Sequence, residues 1–171
     1  MNGKLLATGI LAIALATGIG VYYAQEYAYY DDASNTAEVR LTSLTTGQPE
    51  RILFSDMRAI DALSSPIRFR ACFSTTMSIA MLSETYEILD HAEPRIAPQQ
   101  FDCFDAEQIG NDLANGAAVA FMGQRNYTYG IDRVVAIYTD GRGFVWHQIN
   151  DCGEKLYDGS PADPNCPERQ N

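Results

Sequence analysis

Residues 5–25 read LLATGILAIALATGIGVYYAQ, an uncharged run that sets the terms for everything after it. About twenty apolar residues at ~1.5 Å per residue span the ~30 Å hydrocarbon core of a bilayer as one helix. Lys4 precedes the run, and Tyr22, Tyr23, Tyr27, Tyr29 and Tyr30 crowd its far end. Amphipathic rings favour the headgroup layer, so this cluster marks the outer boundary of the span. Beyond it lie Glu26, Asp31 and Asp32, with no Lys or Arg before Arg40. Positive charge stays on the cytoplasmic side, which predicts a cytoplasmic amino terminus and export of the bulk. The expected location is a bacterial inner membrane, crossed once, with the carboxy-terminal domain periplasmic. The rival is a cleaved leader with Ala14-Leu15-Ala16 as its A-x-A site. Cutting there leaves the apolar start TGIGVYYA with no polar region before it, so a retained anchor is the preferred reading. Either way residues 31–171 are exported. Thr8, Ala12, Ala16 and Gly20 recur every fourth residue, the small-residue spacing that lets two helices approach closely in lipid.

Working outward, about 130 residues remain beyond the anchor, enough for one domain. The chain holds 22 acidic and 12 basic residues, and Lys4 is the one base on the near side, so the exported part carries about −11. That balance argues against nucleic acid and against adhesion to anionic lipid, both of which reward clustered Lys and Arg. Cys72, Cys103, Cys152 and Cys166 make an even count in an exported chain, which favours two disulfides. Three pairings are open. Proximity favours Cys152 with Cys166, closing a fifteen-residue loop, and leaves Cys72 with Cys103. An unstrained closure of that length stabilises by about 3 kcal/mol. With no C-x-x-C pair and two histidines, a metal site is not expected, nor is a cofactor.

The pattern of residues predicts strands at 39–44 and 51–54 and a short helix from Ser55 through Asp61. Ile67, Phe69, Ala71 and Phe73 alternate with Arg68, Arg70 and Cys72, as in a half-buried strand. Ser74-Thr-Thr is the expected cap of a helix ending before Pro94, with Met77, Met81 and Leu82 on one side. Asp105 with Gln108 reads as a capping box for a helix ending at Gly116. Strands follow at 117–122, 131–138 and 144–149, the last two joined by the turn Thr139-Asp-Gly-Arg-Gly. The fold class is therefore α+β, a single transmembrane helix followed by a small antiparallel sheet with two or three helices and two disulfides. The expected organisation is a cytoplasmic terminus (1–4), the transmembrane helix (5–25), a stalk (26–38), the exported domain (39–157) and a disulfide-tethered tail (158–171).

Three functional readings follow. The first is a tethered binding domain, an accessory or assembly factor or small subunit of a membrane complex, with a membrane or periplasmic protein as partner. Tyr127, Tyr129, Arg133 and Arg142 are its candidate contact residues, since Tyr and Arg commonly anchor protein interfaces. The second is a thiol-dependent envelope hydrolase. Cys72 precedes a predicted helix start, His147 follows on a later strand, and Asn150 is placed to orient the imidazole. An even cysteine count leaves that enzyme no spare thiol, and His147 beside the single tryptophan also reads as a structural histidine. The third is a small-molecule sensor domain. Asn126-Tyr-Thr matches a glycosylation sequon. No P-loop, dinucleotide-binding turn or kinase signature occurs.

The stretches MNGK, SSPIRFRACFSTTMSIAMLSETY (64–86), FDCFDAEQIG (101–110) and YGIDRVVAIYTDGRGFVWHQINDCGE (129–154) resemble a bacterial family of short proteins. That family is a domain of unknown function behind one amino-terminal membrane helix. The resemblance implies an exported domain on an anchor and brings no activity or catalytic residues with it.

Overall fold

Val134, Val135, Ala136 and Ile137 are four consecutive apolar residues, and all four are completely buried. Successive side chains on a strand point to opposite faces, so such a run requires a sheet covered on both sides. The computed structural model describes residues 2–164 and 166–167 and has that architecture. After helix α1 (Gly3–Tyr23), extended to Ala28 by one wide π turn, come β1 (Asp31–Asp32), β2 (Arg40–Thr42), β3 (Pro49–Arg51), β4 (Ser55–Asp61) and β5 (Arg70–Ser74). Helices α2 (Ile79–Thr85) and α3 (Ala106–Ala114) follow, then β6 (Ala118–Thr128), β7 (Ile131–Tyr138) and β8 (Arg142–Ile149). Six strands form one sheet in the order β1-β4-β5-β8-β7-β6, and β2 with β3 forms a separate hairpin. Every pairing is antiparallel.

The first face of the sheet presents Ala71, Phe73, Val135, Ile137 and Val145 to Val39 and Leu41 around the β2–β3 hairpin and to Leu82 of α2. The second face presents Cys72, Val134, Ala136, Phe144 and Trp146 to Phe101, Phe104 and Ile109 of α3. Asp105 accepts a hydrogen bond from Gln108 N at 3.0 Å and opens α3 as its capping sequence predicts. Gly116, at φ +74°, closes it. Both disulfides of the proximity reading form, Cys72–Cys103 and Cys152–Cys166.

Several local expectations yield to tertiary pairing. Residues 55–61 form β4 instead of a helix, held between β1 and β5. Asp56 has φ +53°, which no right-handed helix admits. Residues 66–68 form a single 3-10 turn, so the strand begins at Arg70, and Arg70 and Cys72 are as buried as their apolar neighbours. Ser74 ends β5, and the helix cap is Ser78, whose Oγ accepts from Met81 N. Helix α2 stops at Thr85, and the next residues run extended beside β6, with Leu89 N donating to Ala120 O at 2.9 Å. The hairpin partner of β2 is Pro49–Arg51, earlier than expected.

The stalk is also absorbed. Asp31 and Asp32 pair with Asp61 and Ile60, and Ala33 and Ala37 pack on the core, so the domain begins almost where the helix stops. At the other end, Cys166 is not the tail's only attachment. Ala162 N donates to Asp151 O, and Lys155 bridges to Pro161. Met1, Asn165 and residues 168–171 of the predicted terminus and tail lie outside the described residues.

Candidate functional site

Strand register defines two ends of the sheet. The end at which α1 joins carries the turn between β4 and β5, the last residues of β8 and the β6–β7 hairpin at Thr128–Ile131. The far end carries the β7–β8 turn, where Thr75 N donates to Gly141 O.

Two buried arginines organise the end nearest the helix, one on each face. Arg70, 5% exposed, stands on the second face over the Phe104 ring, its carbon centre 5.8 Å from the ring centroid. Its guanidinium donates to four backbone carbonyls, those of Ile67 (2.8 Å), Phe69 (2.7 Å), Arg95 (2.7 Å) and Ile96 (3.1 Å). One side chain thereby ties the 66–69 turn to the 95–96 loop. Burial lowers its pKa to about 10, which leaves it charged at neutral pH.

On the first face, Arg133 is 8% exposed, and its guanidinium lies between the rings of Phe69 (4.5 Å) and Tyr127 (4.1 Å). Its Nε–H donates to Nε2 of His147 at 2.9 Å. His147, 1% exposed, stacks on Phe69 and directs Nδ1 to Pro66 O. A carbonyl only accepts and a guanidinium only donates, so these neighbours require a neutral imidazole with its proton on Nδ1. Burial, reinforced by the Arg133 charge, holds the histidine pKa down at about 4.

This geometry separates the hydrolase candidates. Cys72 lies opposite Phe144 on the second face and is bonded to Cys103. His147 follows Trp146, a second-face residue, and therefore points to the first face. The sheet itself stands between the two. Asn150 does not orient the imidazole. Its amide donates to Asp132 Oδ1 (2.7 Å) and Asn126 Oδ1 (3.1 Å) and accepts from Cys152 N and Gly153 N. Among the described residues no cysteine is free, and no group of three or more His, Cys, Asp or Glu is placed to hold a metal. Asn126 Oδ1 also accepts from Gly130 N, so the sequon amide is tied into the β6–β7 hairpin.

The Tyr and Arg set divides as well. Tyr127, Tyr129 and Arg133 sit at the helix end of the sheet, with Arg133 inside the fold. Arg142 sits at the far end beside Asp140 and over the Tyr138 ring. About 17 Å of strand separates Arg133 from that turn, so the four do not make one patch. What the sequence did not single out was Arg70 as a hub. An arginine in an alternating strand reads as solvent-facing, and the carbonyls it satisfies come from a loop 25 residues away.

Along α1, Thr8, Ala12, Ala16 and Gly20 lie on an exposed helix with no buried residue, and a Cβ added at Gly20 would meet nothing within 4 Å. The helix is long and apolar enough over Gly3–Ala28 to cross a membrane. An open groove of about 420 Å³ lies between α3 and residues 88–93.

Fold, apolar helix and paired cysteines together define a disulfide-linked α+β domain carried on one candidate membrane helix. The chain belongs to the family of unknown function DUF6446, whose model matches residues 39–167, from just before β2 to just past Cys166. No curated protein and no solved structure matches the chain.

Proposed function

We propose that this chain is a single-pass membrane protein that works by binding, as an accessory factor or small subunit of a membrane protein complex. Its domain stands on the periplasmic side of a bacterial inner membrane. The observation that carries the reading is the junction between helix and domain. Glu26, in the last turn of the helical segment, accepts from Gln99 N at 2.9 Å through its side chain and from the Gln100 amide through its carbonyl. Arg68 lies over the rings of Tyr29 (5.6 Å) and Tyr30 (5.9 Å). A docked domain presents its surfaces at one height and one azimuth above the membrane, which suits a subunit that must meet a fixed partner. A module working alone on diffusing ligands gains little from such a junction. Lys4 before the helix and the acidic residues after it support the orientation, and two disulfides suit an oxidising compartment.

Crosslinking in native membranes followed by mass spectrometry tests the reading. The expected result is one recurrent membrane or periplasmic partner crosslinked to the domain. Recovery of the monomer alone across solubilisation conditions overturns it.

A further inference from the structure

The largest exposed aliphatic side chains of the domain include two at the end from which α1 departs. Leu63 is fully exposed (100%) and Ile96 is 85% exposed. Neither belongs to a loose segment. Leu63 lies two residues beyond Asp61, which pairs with Asp31, and the turn that carries it is closed by a hydrogen bond from Ser65 N to Ala62 O at 3.1 Å. Ile96 is fixed through its own carbonyl, which accepts from the buried Arg70 guanidinium, and Arg70 anchors the 66–69 turn at the same time.

The height of this end follows from Glu26. It is the first charge after the uncharged run, so in a spanning helix it lies at the headgroup boundary. Gln99 and Gln100 bond to it directly and therefore share that level. Ile96 is three residues from Gln99, a reach of at most about 10 Å, and the headgroup layer is itself about 5–8 Å deep. Arg95 adjoins Ile96 in the chain and is paired with Glu93 at 3.6 Å, and Arg68 lies over the rings of Tyr29 and Tyr30 at the foot of the helix.

We propose that this end of the domain rests on the bilayer, with Leu63 and Ile96 entering the headgroup layer as a second, monotopic contact beside the transmembrane helix. The contact is chiefly apolar, so it forms on neutral lipid. It rests on the reading that α1 spans the membrane, and it adds that the domain is pinned to the surface at a defined tilt instead of standing clear of it.

The full-length protein in phosphatidylcholine vesicles tests this, with part of the lipid brominated near the top of the acyl chain. Leu63→Trp and Ile96→Trp place a fluorophore at each tip, and Leu53→Trp places one at the far end, where Leu53 is also exposed. The native Trp146 is completely buried and gives a constant background. The expected result is bromolipid quenching of the Leu63→Trp and Ile96→Trp proteins about twofold or more above that of Leu53→Trp, unchanged by salt. Equal quenching in all three overturns the surface contact. Ile13→Trp with bromines deep in the chain reports on the span separately. Quenching there without quenching at the tips overturns the contact and leaves the span standing. No quenching there overturns the span, and the contact with it.

Discussion

Arg133 donates its Nε–H to His147 Nε2 across 2.9 Å, and the opposite nitrogen of the same ring engages Pro66 O. The pair closes the helix end of the first face, under the rings of Phe69 and Tyr127. Both imidazole nitrogens are committed, so a second proton has nowhere to go without breaking a buried contact.

Stability therefore depends on pH through this histidine, in a definite direction. The native pKa of about 4 lies below the unfolded value of 6.5. Above pH 6.5 both states are neutral and the contribution is complete. As pH falls from 6.5 toward 4 the unfolded chain binds a proton that the native state refuses, and stability declines by roughly 3 kcal/mol. Urea unfolding at pH 7.5 and pH 4.5 should show the loss, and His147→Gln should flatten that part of the profile. An unchanged slope in the variant would contradict the assignment.

Arg133 is the converse case, a buried charge held by ring faces and one histidine. Arg133→Lys keeps the charge but loses the planar stack and the aimed Nε–H. The expected cost is about 2–3 kcal/mol of unfolding free energy. It should be accompanied by an upward move of the His147 titration, read by NMR of the imidazole.

Two glycines with positive φ separate backbone strain from crowding. Gly116 has φ +74° and open space where a methyl group would project, whereas Gly130 has φ +81° and would place a Cβ 2.6 Å from Gly153 Cα. Gly116→Ala should cost about 1 kcal/mol, and Gly130→Ala several times that. Thermal unfolding of the two variants side by side checks the order. Equal losses would mean that the 152–153 turn yields freely.

Both disulfides should be complete in the mature protein. Alkylation under denaturing, non-reducing conditions should label no cysteine, and reduction should expose all four, with peptides pairing Cys72 to Cys103 and Cys152 to Cys166. Cys103→Ser should cost about 2–5 kcal/mol, because it frees the loop that carries Phe101 and Phe104 into the second face. One reactive thiol at Cys72 in the oxidised protein would contradict its pairing with Cys103.

Much of the architecture was legible from local signals. Strand 131–138, the Asp105 cap, the 139–143 turn and the apolar helix each depend on neighbours a few residues away, and each stands where its own residues place it. The candidate site was less legible. Cys72, His147 and Asn150 follow one another in a suggestive order, yet order along the chain says nothing about which face of a sheet each side chain takes.

The sequence alone settled the apolar amino-terminal helix, the number of disulfides and the α+β class, because length, hydropathy, cysteine parity and turn chemistry are written into the chain itself. Tertiary structure decided the rest. β4 is a strand because two neighbours pair with it, against the helix that Ser55 suggested. The 31–38 segment belongs to the domain because β4 offers it an edge. Arg70 is a buried hub because carbonyls from residues 95 and 96 arrive to satisfy it. Each depends on contacts between segments far apart in sequence, and side chains two residues out of phase across a registered sheet share a face while those one residue out are divided by it.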